Sequence, residues 1–343
     1  MFDDKISRRE FAIGLAAVGA MGSRSVLAQS SNLKVRLDWT PWGVHGGMHL
    51  AQAKGWVAAA GLTVEVQDGN GSASTVQIIG GSNEFDLGHA SLSTMMIGRS
   101  KGLGVRAVAV FARQGDIGCF IPKDSGIKGP GDLKGKKIVY TAGALEAPFI
   151  DTFLAAGGLR RGDVELIAVD AASKAATYAT GRADAAFSTI PFFVSAVAEA
   201  RPSNSIRFAD YGLTMPGYGL LSSTAKLSGE KREAISKYAS VVAAAWQYIY
   251  SGHEEEAVDA IISQRPQARL DRKVLRGQID SLRNFFDTPA AKGLPVGVIA
   301  VADWDAAVKT MAAANLVTTD LKGADYVETG LVKPVTLGSK TAS

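Results

Sequence analysis

Apolar and basic residues alternate along Leu33-Lys34-Val35-Arg36-Leu37 with the period of two that a half-buried strand requires. Residues 47–60 then carry apolar positions at helical spacing, among them Met48, Ala51 and Trp56, and Gly61-Leu62 closes that helix. Thr63-Val64-Glu65-Val66 reads as the next strand, and residues 74–80 open a helix after a loop rich in Gly and Ser. Residues 85–88 and 107–111 read as further strands around a helix at 92–101. The alternation predicts one α/β lobe, a mostly parallel sheet with helices on both faces.

The pattern breaks at residues 113–118 and restarts at Lys137-Ile138-Val139-Tyr140, followed by a loop at 141–146 and a helix at 149–156. Strands at 164–169 and 183–187 and helices at 173–180 and 191–199 complete a second lobe built like the first. Residues 216–223 read as the chain returning to the first lobe, and helices at 228–250 and 254–262 make the remainder mainly helical. Crossings are therefore expected near residues 113–120 and 213–220, with 29–115 and 217–343 forming one lobe and 116–216 the other. Open α/β sheets bind ligands beyond the carboxyl ends of their strands. That rule points the loops 38–46, 68–74, 88–93, 141–146, 170–173 and 188–193 at one shared cleft.

Residues 1–28 stand apart from this alternation. Ser7-Arg8-Arg9-Glu10-Phe11 precedes an apolar run from 12 to 22, and Ser25-Val26-Leu27-Ala28 supplies the small residues a signal peptidase reads. The run is too short for the ~20 residues of a membrane span, so it reads as a cleaved twin-arginine export signal and predicts a periplasmic protein starting near Gln29. The chain has 343 residues, 47% of them hydrophobic and 20% charged, as in ordinary globular proteins. Its length favours two cores. Net charge is +4, and the signal's four basic and three acidic residues leave +3 on the rest, spread without the aromatic interleaving of a nucleic-acid groove. Cys119 is the single cysteine, which excludes an intrachain disulfide and a thiolate metal cluster.

The cleft loops carry a distinctive set of side chains. Trp39 and Trp42 flank Thr40-Pro41 at a strand end, where they can stack on a flat polar ligand or pack under the first helix. His45 and His89 can hydrogen-bond such a ligand; zinc would want a further ligand beside His45, His49 and His89, so no metal is expected. Ser91 and Ser93 either cap a helix or present hydroxyls to solute, and Thr141 and Glu146 begin the second lobe's first helix, where Glu146 can pair with an amine or favour the helix dipole. Arg113-Gln114-x-Asp116 lies at the first crossing, as a ligand contact or a solvated hinge. Gly69-Asn70-Gly71-Ser72 lacks the Lys-Ser/Thr of a nucleotide loop, and no nucleophile triad, paired catalytic carboxylates or cofactor fingerprint is present. No enzyme activity and no cofactor are expected.

Asp38-Trp39-Thr40-Pro41-x3-His45, then Ala51-x2-Lys54-Gly55-Trp56-x4-Gly61-Leu62-x-Val64-Glu65, resembles the exported solute-binding proteins that deliver the pyrimidine precursor of thiamine to transporters. Relatives that bind nitrate, sulfonates and taurine belong to the same family. Residues 124–138, from Asp124-Ser125-Gly126 to Lys136-Lys137-Ile138, resemble its link between lobes, and Gly181-Arg182-Ala183-Asp184 resembles a second-lobe strand. The resemblance implies a two-lobed, periplasmic-binding-protein-like clamshell that closes on a small solute as a monomer and docks on an ABC permease in the inner membrane. It implies a pyrimidine-like heteroaromatic ligand, with a sulfonate or other oxyanion as the alternative. An exported enzyme or a sensory module stands further off. Trp42 directly follows Pro41 where pyrimidine binders often carry Asn, and Phe187-Ser188-Thr189-Ile190 replaces an aromatic pair found in some of them. Second-lobe stacking would therefore fall to Phe192 or Phe193. The fungal relatives that use a Cys-rich motif to make the pyrimidine are excluded by the lone Cys119 and the export signal.

Overall fold

The computed structural model describes residues 31–170 and 172–338, so the export signal read at 1–28 lies outside the described residues. Among the described residues ten strands form two sheets of five: β1 Ser31–Arg36, β2 Leu62–Gln67, β3 Leu87–Ser91, β4 Val105–Val110 and β10 Tyr218–Ser223 in one, β5 Ile117–Pro122, β6 Lys137–Tyr140, β7 Glu165–Ala168, β8 Ala185–Thr189 and β9 Ser203–Arg207 in the other. The orders are β2-β1-β3-β10-β4 and β7-β6-β8-β5-β9. β10 pairs antiparallel with β3 and β4, and β5 pairs antiparallel with β8 and β9, whereas the remaining pairs are parallel. Each sheet thus has four strands pointing one way and a single reversed strand, and that reversed strand is the one through which the chain enters from the other lobe.

Burial explains the strand sequences. β3 and β8, covered on both faces, are buried at every position, and β1 alternates, with Leu33 and Val35 inside and Lys34 exposed. Residues 111–116 and 208–217 join the sheets and lie side by side: Gly115 N–H donates to the Met215 carbonyl (2.7 Å) and Ala112 N–H to that of Tyr218 (3.1 Å). The crossing expected at 113–120 is shorter than that, because Ile117–Pro122 is itself β5.

Helices α1 Gly46–Ala53, α2 Trp56–Ala59, α3 Ser72–Gly81 and α4 Leu92–Ser100 cover the first sheet, and α5 Ile150–Ala156, α6 Lys174–Ala179 and α7 Ile190–Val197 the second. The single helix expected over 47–60 is two, split at Gly55, whose φ of 72° is left-handed. The C-terminal part supplies α8 Gly229–Ile249, α9 Glu254–Gln264, α10 Arg272–Leu282 and α11 Val301–Ala313. α9 fastens to α1 through Gln264, which meets His49 Nδ1 at 2.9 Å and donates to the His49 carbonyl at 2.8 Å. Burial lowers the His49 pKa to about 3, so this histidine is a neutral structural link. No helix among the described residues is long and apolar enough to cross a membrane.

Candidate functional site

Strand ends from both sheets meet around a narrow cavity. Asp38, Trp39 and Trp42 line it from the loop after β1, Ser72 from the start of α3, and Tyr218 from the start of β10. The second sheet contributes Ala144, Leu145 and Glu146 after β6, Lys174 at the start of α6, and Ser188, Thr189 and Phe192 around the β8–α7 junction. The walls touch across the cleft. Trp42 meets Phe192 edge to face at 5.5 Å and Tyr218 at 5.6 Å, and the Lys174 ammonium lies 5.6 Å from the Trp39 ring centre. Gly71 approaches the opposite loop so closely that a Cβ there would stand 2.2 Å from the Gly143 carbonyl oxygen.

Asp38 is the anchor of the first-lobe wall. Its Oδ1 accepts from His45 Nε2 at 3.0 Å and from His89 Nδ1 at 3.1 Å, with both imidazoles fully buried. His45 Nδ1 lies 3.4 Å from the Trp42 N–H, which it accepts, so its proton sits on Nε2 and points at the carboxylate. Burial raises the Asp38 pKa, but the two histidine hydrogen bonds outweigh it and hold the carboxyl at about 2. Burial pushes the His45 pKa down, so the His45–Asp38 contact is a neutral N–H on a carboxylate rather than an ion pair. His89 is stacked on Tyr218, with centroids 5.6 Å apart and planes 5° apart, which fixes its ring. Asp38, His45 and His89 bring three ligating atoms within 4.8 Å of one another, yet the protons on those nitrogens already occupy Oδ1, so the group acts as a hydrogen-bonded support.

Glu146 Oε1 accepts from Lys174 Nζ at 2.6 Å and from the Thr141 N–H at 3.4 Å, and the Glu146 and Lys174 side chains are both buried. The cavity thus presents two carboxylates, one ammonium and four aromatic rings. At the hinge, the Thr189 hydroxyl donates to Asp116, a fully buried carboxyl that burial drives up to about 7.

Of the side chains singled out in the sequence, Trp39, Trp42, Glu146 and Phe192 line the cavity. His45 and His89 do not; they stand one layer behind, acting on Asp38. Ser91 and Ser93 do not line it either, although the Ser91 N–H donates to Ser72 Oγ on its wall at 3.1 Å. The Ser91 hydroxyl caps α4 by accepting the Thr94 N–H and bonds the Ser93 hydroxyl at 2.8 Å. Thr141 touches the site only through its N–H on Glu146. Arg113 is a structural clamp instead, donating to the Val298 (2.6 Å) and Pro295 (2.9 Å) carbonyls. Phe193 packs behind the second sheet on Phe120, 4.7 Å away. Lys174, Tyr218 and Thr189 were not singled out, and only the loops 170–173 and 188–193 pointed near Lys174 and Thr189; Asp116, read with Arg113 at the first crossing, is buried on the Thr189 hydroxyl rather than solvated.

The sequence model of the family described as NMT1/THI5 like matches residues 42–257. The formylaminopyrimidine-binding protein of Halalkalibacterium halodurans is 25% identical over 246 residues, covering 69% of this chain and 72% of that protein. A solved structure from Bordetella bronchiseptica is 24% identical with a TM-score of 0.67, covering 89% of this chain and 94% of the other. The alkanesulfonate-binding protein SsuA of Xanthomonas axonopodis, bound to MOPS, is 15% identical with a TM-score of 0.64, covering 87% of this chain and 98% of that one.

Proposed function

Because this chain belongs to the NMT1/THI5-like family, we propose that it is the periplasmic solute-binding component of an ABC importer, and that it holds an amino-substituted pyrimidine or similar heteroaromatic between its lobes. In this reading residues 116–216 form the lobe that closes on the rest, the twin-arginine signal at 1–28 directs export, and the loaded protein docks as a monomer on an inner-membrane permease. Binding is the whole of its task.

The observation that carries the ligand class is the cavity lining: Trp39, Trp42, Phe192 and Tyr218 share one cavity with the carboxylates Asp38 and Glu146 and the cation Lys174. Flat aromatic walls suit a planar ring. Two carboxylates against one ammonium suit ring amines, which donate, and oppose an oxyanion, since unlike the exterior a buried site screens like charges poorly. Asp38 serves this especially well. Its Oδ1 is taken by His45 and His89, its ionised form is secured by them, and the remaining oxygen is available to an N–H of the ligand. The oxyanion alternative has only Lys174 to support it, and Lys174 already serves Glu146.

Calorimetric titration of the exported protein with formylaminopyrimidine, 4-amino-5-hydroxymethyl-2-methylpyrimidine and taurine tests the reading. Binding of a pyrimidine, loss of that binding by at least about 100-fold in Trp39→Ala and Asp38→Asn, and silence with taurine are expected. Tighter binding of taurine than of either pyrimidine overturns the ligand class, and turnover of bound pyrimidine overturns the binding role.

A further inference from the structure

We propose that α10 is the latch that completes the cavity on closure, with Gln278 the positioning residue that sets the Trp42 loop against Phe192. α10 is fastened on one side to the C-terminal helices and the first lobe. Arg272 and Arg276 each reach Glu255 at 2.9 Å, Tyr250 donates its hydroxyl hydrogen to the Ile279 carbonyl at 3.0 Å, and Gly43 N–H donates to Gln278 Oε1 at 2.8 Å. The fit at Gly43 is close: a Cβ there would stand 2.7 Å from the Gln278 Cβ.

Its other side meets α7 of the second lobe. Lys273 pairs with Glu199 just past the end of α7, Gly277 abuts Ser195, and Gln278 Nε2 donates to the Phe192 carbonyl at 3.3 Å. As numbers rise along α10 from 273 to 278, the partners fall from 199 to 192, the register of two antiparallel helices. Lys273 and Glu199 are both highly exposed, so that pair contributes little and the burden falls on Gly277 and Gln278. Glycine inside a helix costs stability relative to alanine, and here it has a packing reason, since a Cβ at 277 would lie 2.7 Å from Ser195 Oγ and 3.3 Å from Ser195 Cβ. Gln278 is 2% exposed, and its one amide spends its acceptor on the Trp42 side and its donor on the Phe192 side, directly behind the two rings that meet across the cleft. Closure of the aromatic walls and the bond made by Gln278 are in this way one event.

The inference rests on the solute-binding reading for its affinity measurement and stands apart from it for its structural one. In the first arm, Gly277→Cys with Ser195→Cys places two thiols at a spacing near that of a disulfide, and buried Cys119 offers no competing thiol. Oxidation should consume both thiols and leave a protein whose radius of gyration by small-angle scattering is smaller than after reduction. Failure to cross-link, or an unchanged radius, overturns the latch whatever the ligand is. In the second arm, Gln278→Glu keeps the acceptor for Gly43 and sets a carboxylate against the Phe192 carbonyl. Affinity for formylaminopyrimidine should fall about tenfold or more while the urea midpoint of the ligand-free protein stays put, with Gln278→Met lowering both. Wild-type affinity in Gln278→Glu removes the positioning role; absence of pyrimidine binding in the wild type overturns the ligand reading and leaves the cross-link to decide the latch.

Discussion

Asp116 shows how one buried side chain between the two sheets couples stability to pH. It ends the first crossing, is fully buried, and accepts the Thr189 hydroxyl from the junction that lines the cavity. Burial raises its pKa to about 7 from an ordinary 3.8; the Thr189 hydrogen bond works against that rise, and the charges of Asp38 and Glu146 add to it. The native state therefore keeps a proton that the unfolded chain has already lost, so this group makes stability fall as pH climbs from the ordinary carboxylate range to about 7. Asp116→Asn keeps the acceptor for Thr189 and removes the titration. Urea unfolding should show the variant gaining on the wild type at about pH 8 and gaining nothing at about pH 4; a pH-independent difference would dismiss the assignment. Residue-scale legibility in the sequence was uneven for a physical reason. Trp39 and Trp42 stand out because two indoles around Thr-Pro are conspicuous, whereas Lys174 is one lysine at a helix start and looks solvated until the fold buries it on Glu146. His45 and His89 were legible as cleft histidines, but their convergence on a single carboxylate oxygen, 7 and 51 residues away along the chain, exists only in three dimensions.

Among the elements, an apolar period made β6 and α8 readable and its absence hid β9, yet α10, with Leu275, Ile279 and Leu282 on one buried face, also went unread. β6 falls on Lys137–Tyr140 as expected, and α8 fills nearly all of residues 228–250. β9 is Ser-Asn-Ser-Ile-Arg, an edge strand with one buried residue, Ile206, so no alternation marks it. β5 is a short apolar run after Gln114-Gly115-Asp116, and its turn-like approach concealed it. The crossing segment has its own brace. Arg113 holds two carbonyls of the 295–298 segment and donates its N–H to the Phe285 carbonyl at 2.7 Å, tying the start of the hinge to the C-terminal part. Arg113→Met removes charge-assisted hydrogen bonds and should lower stability by roughly 2–4 kcal/mol in urea unfolding while shifting pyrimidine affinity less than about threefold. A large loss of affinity at unchanged stability would return Arg113 to the ligand site.

At the scale of the whole molecule, the sequence conveyed the paired α/β lobes and the facing loops because strand-loop-helix units repeat along it, and it left the packing of α10 on the second lobe unannounced because nothing local in residues 272–282 specifies a partner. Export belongs to this scale as well. Replacing Arg8-Arg9 by Lys-Lys should leave the full-length chain in the cytoplasm, whereas the wild type should appear in the periplasm with an N-terminus near Gln29, as read by mass spectrometry of the two fractions. Periplasmic delivery of the Lys-Lys variant would point to another route. The chain leaves the first sheet once, after β4, and comes back once, at β10, with all five strands of the other sheet in between. One uninterrupted stretch of gene therefore encodes half of the binding wall, Lys174, Glu146 and Phe192 included. Such a stretch is a natural cassette: recombination at two points swaps it whole, and a new nutrient preference can be acquired without disturbing the half that carries Asp38.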